Sequence, residues 1–304
     1  MRIIALLLFV AVARAVPFAK RAIGKPQGQS VGQLAPFPLY DVILAFGDFI
    51  TESDNDTGYG GWVTNLANSF GHRMDVLNRG FSGLNTTAAL GVVDRVFPVT
   101  QPLAQAGLLA GTLGSTPMDR RNGEFPGGTS GAMELCVLFF GTNDAVVSLS
   151  PQHVELDEYK QNMRQMVLLL QDPNSQYFSP RTRTIIVTPP PVNDAMADET
   201  TKSNPNFKYF RSKATKTYAD AAIAVAQDFC LPYVDLHTEI VTLAAQAKAS
   251  PDYKGKFSGY DAYLADGVHP NTAGNKLLYS LVMSTVNSTW PSFVQPISLP
   301  SPAN

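Results

Sequence analysis

Short, nearly continuous apolar runs recur along this chain, separated by longer stretches in which apolar residues return every three or four positions. The short runs are "DVILAFGD" (41–48), "MDVLNRG" (74–80), "LCVLFFG" (135–141), "TIIVTPP" (184–190) and "PYVDLH" (232–237). Runs of this length without strict alternation predict strands of a parallel sheet, buried on both faces. The longer stretches predict helices. "LDEYKQNMRQMVLLL" (156–170) sets Leu156, Tyr159, Met163, Met166, Val167 and Leu170 on one stripe, the mark of a core-facing helix. "YFRSKATKTYADAAIAVAQDF" (209–229) is rich in Ala with charges opposite, and "NTAGNKLLYSLVMSTV" (271–286) closes the series. Strands that alternate with helices argue for an α/β sheet with right-handed crossovers.

Three stretches break this rhythm. Residues 16–40 are rich in Pro, Gly and Gln and read as a linker or pro-segment, with Lys20-Arg21 as a candidate dibasic processing site. Residues 105–131 read as a long surface loop, either a lid, a site wall or an insertion. The stretch from Pro291 to Asn304 reads as an irregular tail.

The N-terminus changes the picture. "MRIIALLLFVAVARA" has an early Arg, an apolar run and Ala13-x-Ala15 at its end, which predicts a secretory signal peptide over 1–15 and an extracellular protein. The run is too short to predict stable membrane insertion. Secretion gives meaning to three N-x-S/T triplets, at Asn55, Asn85 and Asn287, of which Asn287 is the best glycan candidate. A net charge of −2 gives no electrostatic footprint for nucleic acid. Two cysteines, Cys136 and Cys230, are no disulfide framework and read as small buried hydrophobes. The four His residues are scattered and show no metal-ligand spacing, so neither metal nor other cofactor is expected.

The candidate chemistry falls where the strands end. Asp48 follows the first strand, Ser82 and Gly83 in "NRGFSGLNT" follow the second, "GTND" (141–144) follows the third, and "DGVHPN" (266–271) precedes the last helix. In open α/β sheets sites form at the carboxyl ends of the strands. Each motif alone has an ordinary reading: Asp48 as an N-cap, Asn143 and Asp144 as caps, His269 as a loop histidine. The four in this order are far more specific.

With "FGDFITE" (46–52), "LFFGTNDA", "EYKQNMRQMV" and "TYADAAIAVA", these stretches resemble the SGNH, or GDSL, ester hydrolases over roughly residues 41–290, and among them the isoamyl acetate-hydrolysing esterases most. The resemblance implies a flavodoxin-like three-layer α/β/α sandwich with a five-stranded parallel sheet in the order 2-1-3-4-5. It implies hydrolysis of a small carboxylic ester, or of an acylated sugar or lipid, through a covalent acyl-enzyme. By position, His269 is the general base, Asp266 its orienting carboxylate, and the backbone N–H groups of residue 49 and Gly83 with the Asn143 amide the oxyanion hole. Asp48, Ser82 and Asp144 line the substrate site in the same frame.

One residue departs from the family. Where its members carry the nucleophilic Ser, this chain has Phe49. A Ser-His-Asp mechanism needs an oxygen that His can deprotonate, and a benzyl side chain has none. Thr51, Ser53 and Ser82 are the nearby hydroxyls, with Ser82 the least implausible substitute. Three readings follow. The chain is a family member with little or no turnover; it is a pseudoenzyme that binds an ester, a glycan or a protein partner in the old pocket; or position 49 is a single-base variant of a working esterase. His237, expected at the end of the fifth strand, and His72, before the second, are assigned no catalytic part.

Overall fold

The computed structural model describes residues 40–53, 60–98 and 132–294. The expected signal peptide, the linker, the 105–131 loop and the Asn55 triplet lie outside the described residues.

Five strands form one parallel sheet: β1 (Asp41–Gly47), β2 (Met74–Gly80), β3 (Met133–Phe139), β4 (Arg183–Val187) and β5 (Tyr233–Val234), in the order β2-β1-β3-β4-β5. That is the expected sheet. In register, Gly47 stands beside Gly80 on one side and Phe139 on the other, so three strands end level at one edge. The chain leaves β1 toward β2 and returns past it to β3, which makes this edge the switch point where α/β sheets open a crevice.

The pleat divides the core. Ile43 and Ala45 face one side of β1, Leu44 and Phe46 the other, all fully buried. On the first side lie α2 (Trp62–Phe70), α7 (Leu236–Ala249) and α8 (Thr272–Thr289), packing Trp62, Leu66, Ile240, Leu278 and Val282 on the sheet. On the second lie α4 (Leu156–Gln171) and α6 (Ser212–Asp228), with Tyr159, Met163, Met166, Ala222 and Val225. The striped side chains of 156–170 do point into the core. The short α1 (Phe49–Glu52), α3 (Thr86–Leu90) and α5 (Asp194–Thr200) fill the loops at the carboxyl edge.

Several expectations needed correction. The fifth strand is two residues long, because Asp235 turns the chain into α7, its carboxylate accepting from the Thr238 N–H at 3.0 Å. His237 therefore sits in the first turn of a helix, not at a strand end. β4 stops at Val187, before Pro189 and Pro190, which have no N–H for a ladder. The tail is regular at its start: Pro291–Val294 form a 3-10 turn, and Phe293 packs on Phe70 with ring centroids 5.6 Å apart. Arg183 lies 4.8 Å over the Phe293 ring while its guanidinium pairs with Glu134 at 2.8 Å, and Arg181 holds the other Glu134 oxygen at 2.7 Å. Cys136 is buried in β3 as expected, but Cys230 is exposed; both thiols are free. Cys230 follows Phe229, the C-cap of α6, and has φ +52°, in a left-handed turn that faces solvent rather than the core.

Candidate active site

The loop before α8 holds an imidazole and a carboxylate in one hydrogen-bonded unit. His269 Nδ1 and Asp266 Oδ2 are 2.7 Å apart. The other carboxylate oxygen accepts from the backbone N–H of His269 at 2.8 Å and of Val268 at 3.0 Å. Burial alone would raise the Asp266 pKa, but the His269 ring and these two N–H bonds outweigh it and hold the carboxyl below its ordinary value. The ionised carboxylate accepts a hydrogen bond from Nδ1–H, which keeps the proton on that nitrogen and leaves Nε2 as the basic one. The loop is braced by Thr200 Oγ1, which donates to Asp266 O at 3.1 Å, and by Asn193 N, which donates to Gly267 O at 2.9 Å. Gly267 has φ +94°, and a Cβ there would stand 2.7 Å from the Ala197 nitrogen. Only glycine lets the loop press this closely on α5.

Phe49 packs against the imidazole of that unit at a tilt. Its ring centroid lies 4.6 Å from that of His269 at an interplanar angle of 57°. Phe210 stands 6.2 Å from Phe49, and Phe207 stands 6.0 Å from His269 and 5.8 Å from Phe210. Phe49 is 9% exposed within this cluster. Its backbone is set by Asp48, whose Oδ1 accepts from the Ile50 N–H at 2.9 Å to start α1. None of the three neighbouring hydroxyls replaces it. Thr51 is wholly buried, Ser53 Oγ donates to Ile50 O at 3.3 Å within its own turn, and Ser82 is exposed.

The loop after β2 is tied down by side chains from distant segments. Asn143 Nδ2 donates to Leu84 O at 2.9 Å, and Gln152 Nε2 donates to Gly83 O at 3.3 Å. Asn85 caps α3 through Ala88 N at 2.9 Å and donates to Gln152 O at 2.9 Å. Asp144 Oδ1 accepts both the N–H and the hydroxyl of Thr86, at 2.9 and 2.5 Å, and Asn162 Nδ2 donates to the Thr86 hydroxyl at 3.1 Å. Gly83 itself has φ +77°, a conformation glycine adopts without strain. Among the described residues the backbone N–H groups of Phe49 and Gly83 meet no acceptor. Unpaired donors at a cleft suit an anion.

Below the loops lies a buried acidic pair. Asp48 and Asp144 are both fully buried, and one oxygen of each, Oδ2, has no hydrogen-bond partner. Burial, offset by the Ile50 N–H and reinforced by the nearby Asp144 charge, pushes Asp48 up to about 7. Burial pushes Asp144 up to about 6 against its Thr86 bonds.

Of the residues expected at the site, Phe49, His269 and Asp266 are in one cluster, and Gly83 and Asn143 are joined through Leu84 on the adjoining loop. Asp48 and Asp144 are not where a substrate reaches. Both are sealed under the loops, Asp48 as a cap and Asp144 as the anchor of Thr86, because a carboxylate that satisfies backbone donors is drawn beneath them. Ser82 stays at the surface. His237 is buried, its pKa lowered by burial, and its backbone N–H donates to Thr188 Oγ1 at 3.1 Å. Sequence reasoning missed Phe207 and Phe210, although the three aromatics of "NPNFKYF" (204–210) were a signal. Gln152, Thr86 and Asn162 gave none: each is an ordinary polar residue whose partner is far away in the chain. Among the described residues no cluster of His, Cys, Asp and Glu is placed to hold a metal ion.

Known proteins are similar to this chain in sequence and in fold. Residues 45–277 match the GDSL-like lipase/acylhydrolase family. The isoamyl acetate-hydrolyzing esterase 1 homolog of Mus musculus is 32% identical over 246 residues, 79% of each chain. A GDSL esterase/lipase of Arabidopsis thaliana is 31% identical over 245 residues, 79% of this chain and 83% of its own length. Among solved structures, a lipase/acylhydrolase from Enterococcus faecalis superposes with a TM-score of 0.51 at 19% identity, covering 82% of this chain and 96% of that one.

Proposed function

The chain belongs to the GDSL-like lipase/acylhydrolase family, and from that premise we propose that it carries the site of a secreted carboxylic ester hydrolase for short-acyl esters, idle in this chain because Phe49 occupies the nucleophile's place. One observation carries the reading: an imidazole paired to a carboxylate at 2.7 Å, with a phenyl ring 4.6 Å away where the attacking oxygen belongs. The short-acyl class is supported by the mouse relative, named for hydrolysis of isoamyl acetate. The leader-like residues 1–15 support secretion.

With a serine at position 49 the parts act in sequence. His269 Nε2 takes the hydroxyl proton as the oxygen bonds to the ester carbonyl carbon. Asp266 keeps the ring in the required tautomer and faces the imidazolium that forms. The carbonyl oxygen becomes an oxyanion and accepts from the N–H groups of residue 49 and Gly83 and from the Asn143 amide. Those donors are fixed beforehand by the loop's ties, so little reorganisation accompanies the charge. Collapse of this intermediate breaks the bond to the alcohol, which leaves with the proton from Nε2. Water, activated by the same nitrogen, then releases the acyl group from the serine. With Phe49 the first bond cannot form, and its ring packs against His269 in the place of the attacking oxygen.

The test is hydrolysis of p-nitrophenyl acetate by the parent, Phe49→Ser and Phe49→Ser/His269→Ala. The reading expects a silent parent, a turning-over Phe49→Ser and a silent double variant. A parent that turns over and loses activity with His269→Ala alone would mean another nucleophile or an activated water. A second reading, a binding protein without turnover, is favoured by the snug seat of Phe49 against His269 and Phe210. It predicts that Phe49→Ser stays silent while the parent binds ester analogues.

A further inference from the structure

Asp266 and His269 lie inside a small closed loop. Leu264 and Pro270 pair as an antiparallel bridge at its neck, and within it Ala265 N donates to His269 O at 2.9 Å. The tip of the loop is braced by Thr200 and Asn193. The neck is crossed by Asn271, the first residue beyond it. Its backbone N–H donates to Tyr263 O at 2.9 Å, on the incoming side of the loop. Its Oδ1 accepts from Ala273 N at 2.9 Å and from Gly274 N at 3.0 Å, which caps α8. Its Nδ2 donates to Asp261 O at 3.2 Å and lies 3.5 Å from Leu264 O.

The incoming segment is itself anchored. The Asp261 carboxylate accepts from the Tyr253 hydroxyl and, at 3.1 Å, from Lys256 N. The capped turn of α8 presses on the same segment, since a Cβ on Gly274 would stand 2.2 Å from Tyr263 O. Capping alone does not account for asparagine here. Asp and Ser cap a helix about as well. An ionised Asp has no donor, and a serine hydroxyl carries its single donor on the very oxygen that caps, so neither can also reach across the neck. The amide nitrogen of Asn271 therefore serves the loop and its oxygen the helix. Asn85 divides its two atoms in the same way on the oxyanion loop, accepting from Ala88 N and donating to Gln152 O.

We infer that Asn271 is a positioning residue for the base: by pinning the neck of the loop it fixes where His269 is held against residue 49. The inference rests on the proposed hydrolase reading for its effect on turnover, but not for its effect on the imidazole. A closed loop swings as a unit about its neck, so a slack neck carries Asp266 and His269 together out of register with residue 49. A misplacement of about 1 Å costs on the order of a hundredfold in rate.

Two variants of the full chain separate the cap from the tie. Asn271→Ser and Asn271→Asp each keep an acceptor for α8 and lose the Nδ2 donor. Added to Phe49→Ser, each is expected to lower kcat for p-nitrophenyl acetate by about 10- to 100-fold at unchanged KM, while far-UV circular dichroism keeps the helix signal. With Phe49 in place, the same variants are expected to weaken the nuclear Overhauser effect between the Phe49 ring and the His269 imidazole, whose centroids lie 4.6 Å apart. An unchanged kcat in both variants overturns the inference, because a cap would then suffice. So does a loss confined to KM, or one that follows a loss of helix signal. A Phe49→Ser protein silent toward the ester overturns the hydrolase reading alone; the Overhauser effect in the Phe49 chain then decides, and unchanged intensity overturns the positioning role.

Discussion

The loop from Asp266 to His269 and the turn from Asp48 to Glu52 lie against each other, yet they differ in what their side chains can do. In the first, a carboxylate takes three hydrogen bonds and aims an imidazole. In the second, the backbone is capped and buried in the same orderly way, but the side chain that meets the imidazole has no polar atom. Backbone architecture and chemical competence are therefore separable. The turn is set by Asp48 and by the strand ends, not by residue 49, so one side chain decides function while the fold stays intact.

The largest effect expected breaks that contrast outright. Phe49→Ser should raise p-nitrophenyl acetate turnover from background by at least ~10³-fold, since loss of such a nucleophile costs up to about a millionfold. Steady-state kinetics of the purified variant decide it, and a gain below tenfold would mean the loop geometry does not serve catalysis. In that background Asp266→Asn should lower kcat by roughly 10⁴, the cost of the wrong imidazole tautomer. Next comes Asn143→Ala, where losing one oxyanion donor costs about 10² to 10³ in kcat. A drop confined to KM would instead place Asn143 in ground-state binding.

Smaller effects sharpen the contrast on the side of stability. Phe49→Ser removes a ring packed on Phe210 and His269 and should cost about 2–3 kcal/mol, somewhat less than a fully enclosed Phe deletion. Urea midpoints of parent and variant measure it; equal midpoints would show that the ring contributes no packing energy. The pH dependence has a definite sign. Asp48 holds its proton to about 7 in the fold, whereas its ordinary value is 3.8. Between those values unfolding releases a proton, so stability falls as pH rises from about 4 toward 7. Asp266, lowered in the fold, works the other way, but only on the acid side of its ordinary value. Asp144, held up to about 6, acts in the same sense, so urea midpoints should drop between pH 5 and pH 7.5 by the equivalent of a few kcal/mol, with Asp48→Asn removing the larger part of the slope. A parent whose midpoint rises over that interval would contradict the buried acid.

Most of the fold was legible because its strands are short, apolar and bounded by Gly, Pro or Asp. The strand order followed from resemblance, and hydrogen bonding between the strands bears it out. The α7 helix was lost because "PYVDLH" continues an apolar run through the very Asp235 that caps the helix. At the site, His269, Asp266, Asn143 and Gly83 announced themselves through motif spacing. Asp48 and Asp144 read as substrate contacts because their motifs sit at the strand ends, and only burial separates a carboxylate beneath a loop from one above it. The ties from Gln152, Thr86 and Asn162 span dozens of residues, and no local pattern encodes such pairings.

The position of Phe293 has a consequence for biosynthesis. A chain made from its N-terminus completes α2 early, with the apolar face that carries Phe70 uncovered. Its cover is α8, where Tyr279 Oη lies 2.6 Å from Ser69 Oγ, and then Phe293 itself. Both come far later in the chain than α2, Tyr279 being 210 residues beyond Ser69, and so do Asp266 and His269. Until that later stretch has been made, the nascent chain has neither a covered α2 face nor a base, and the two are supplied together.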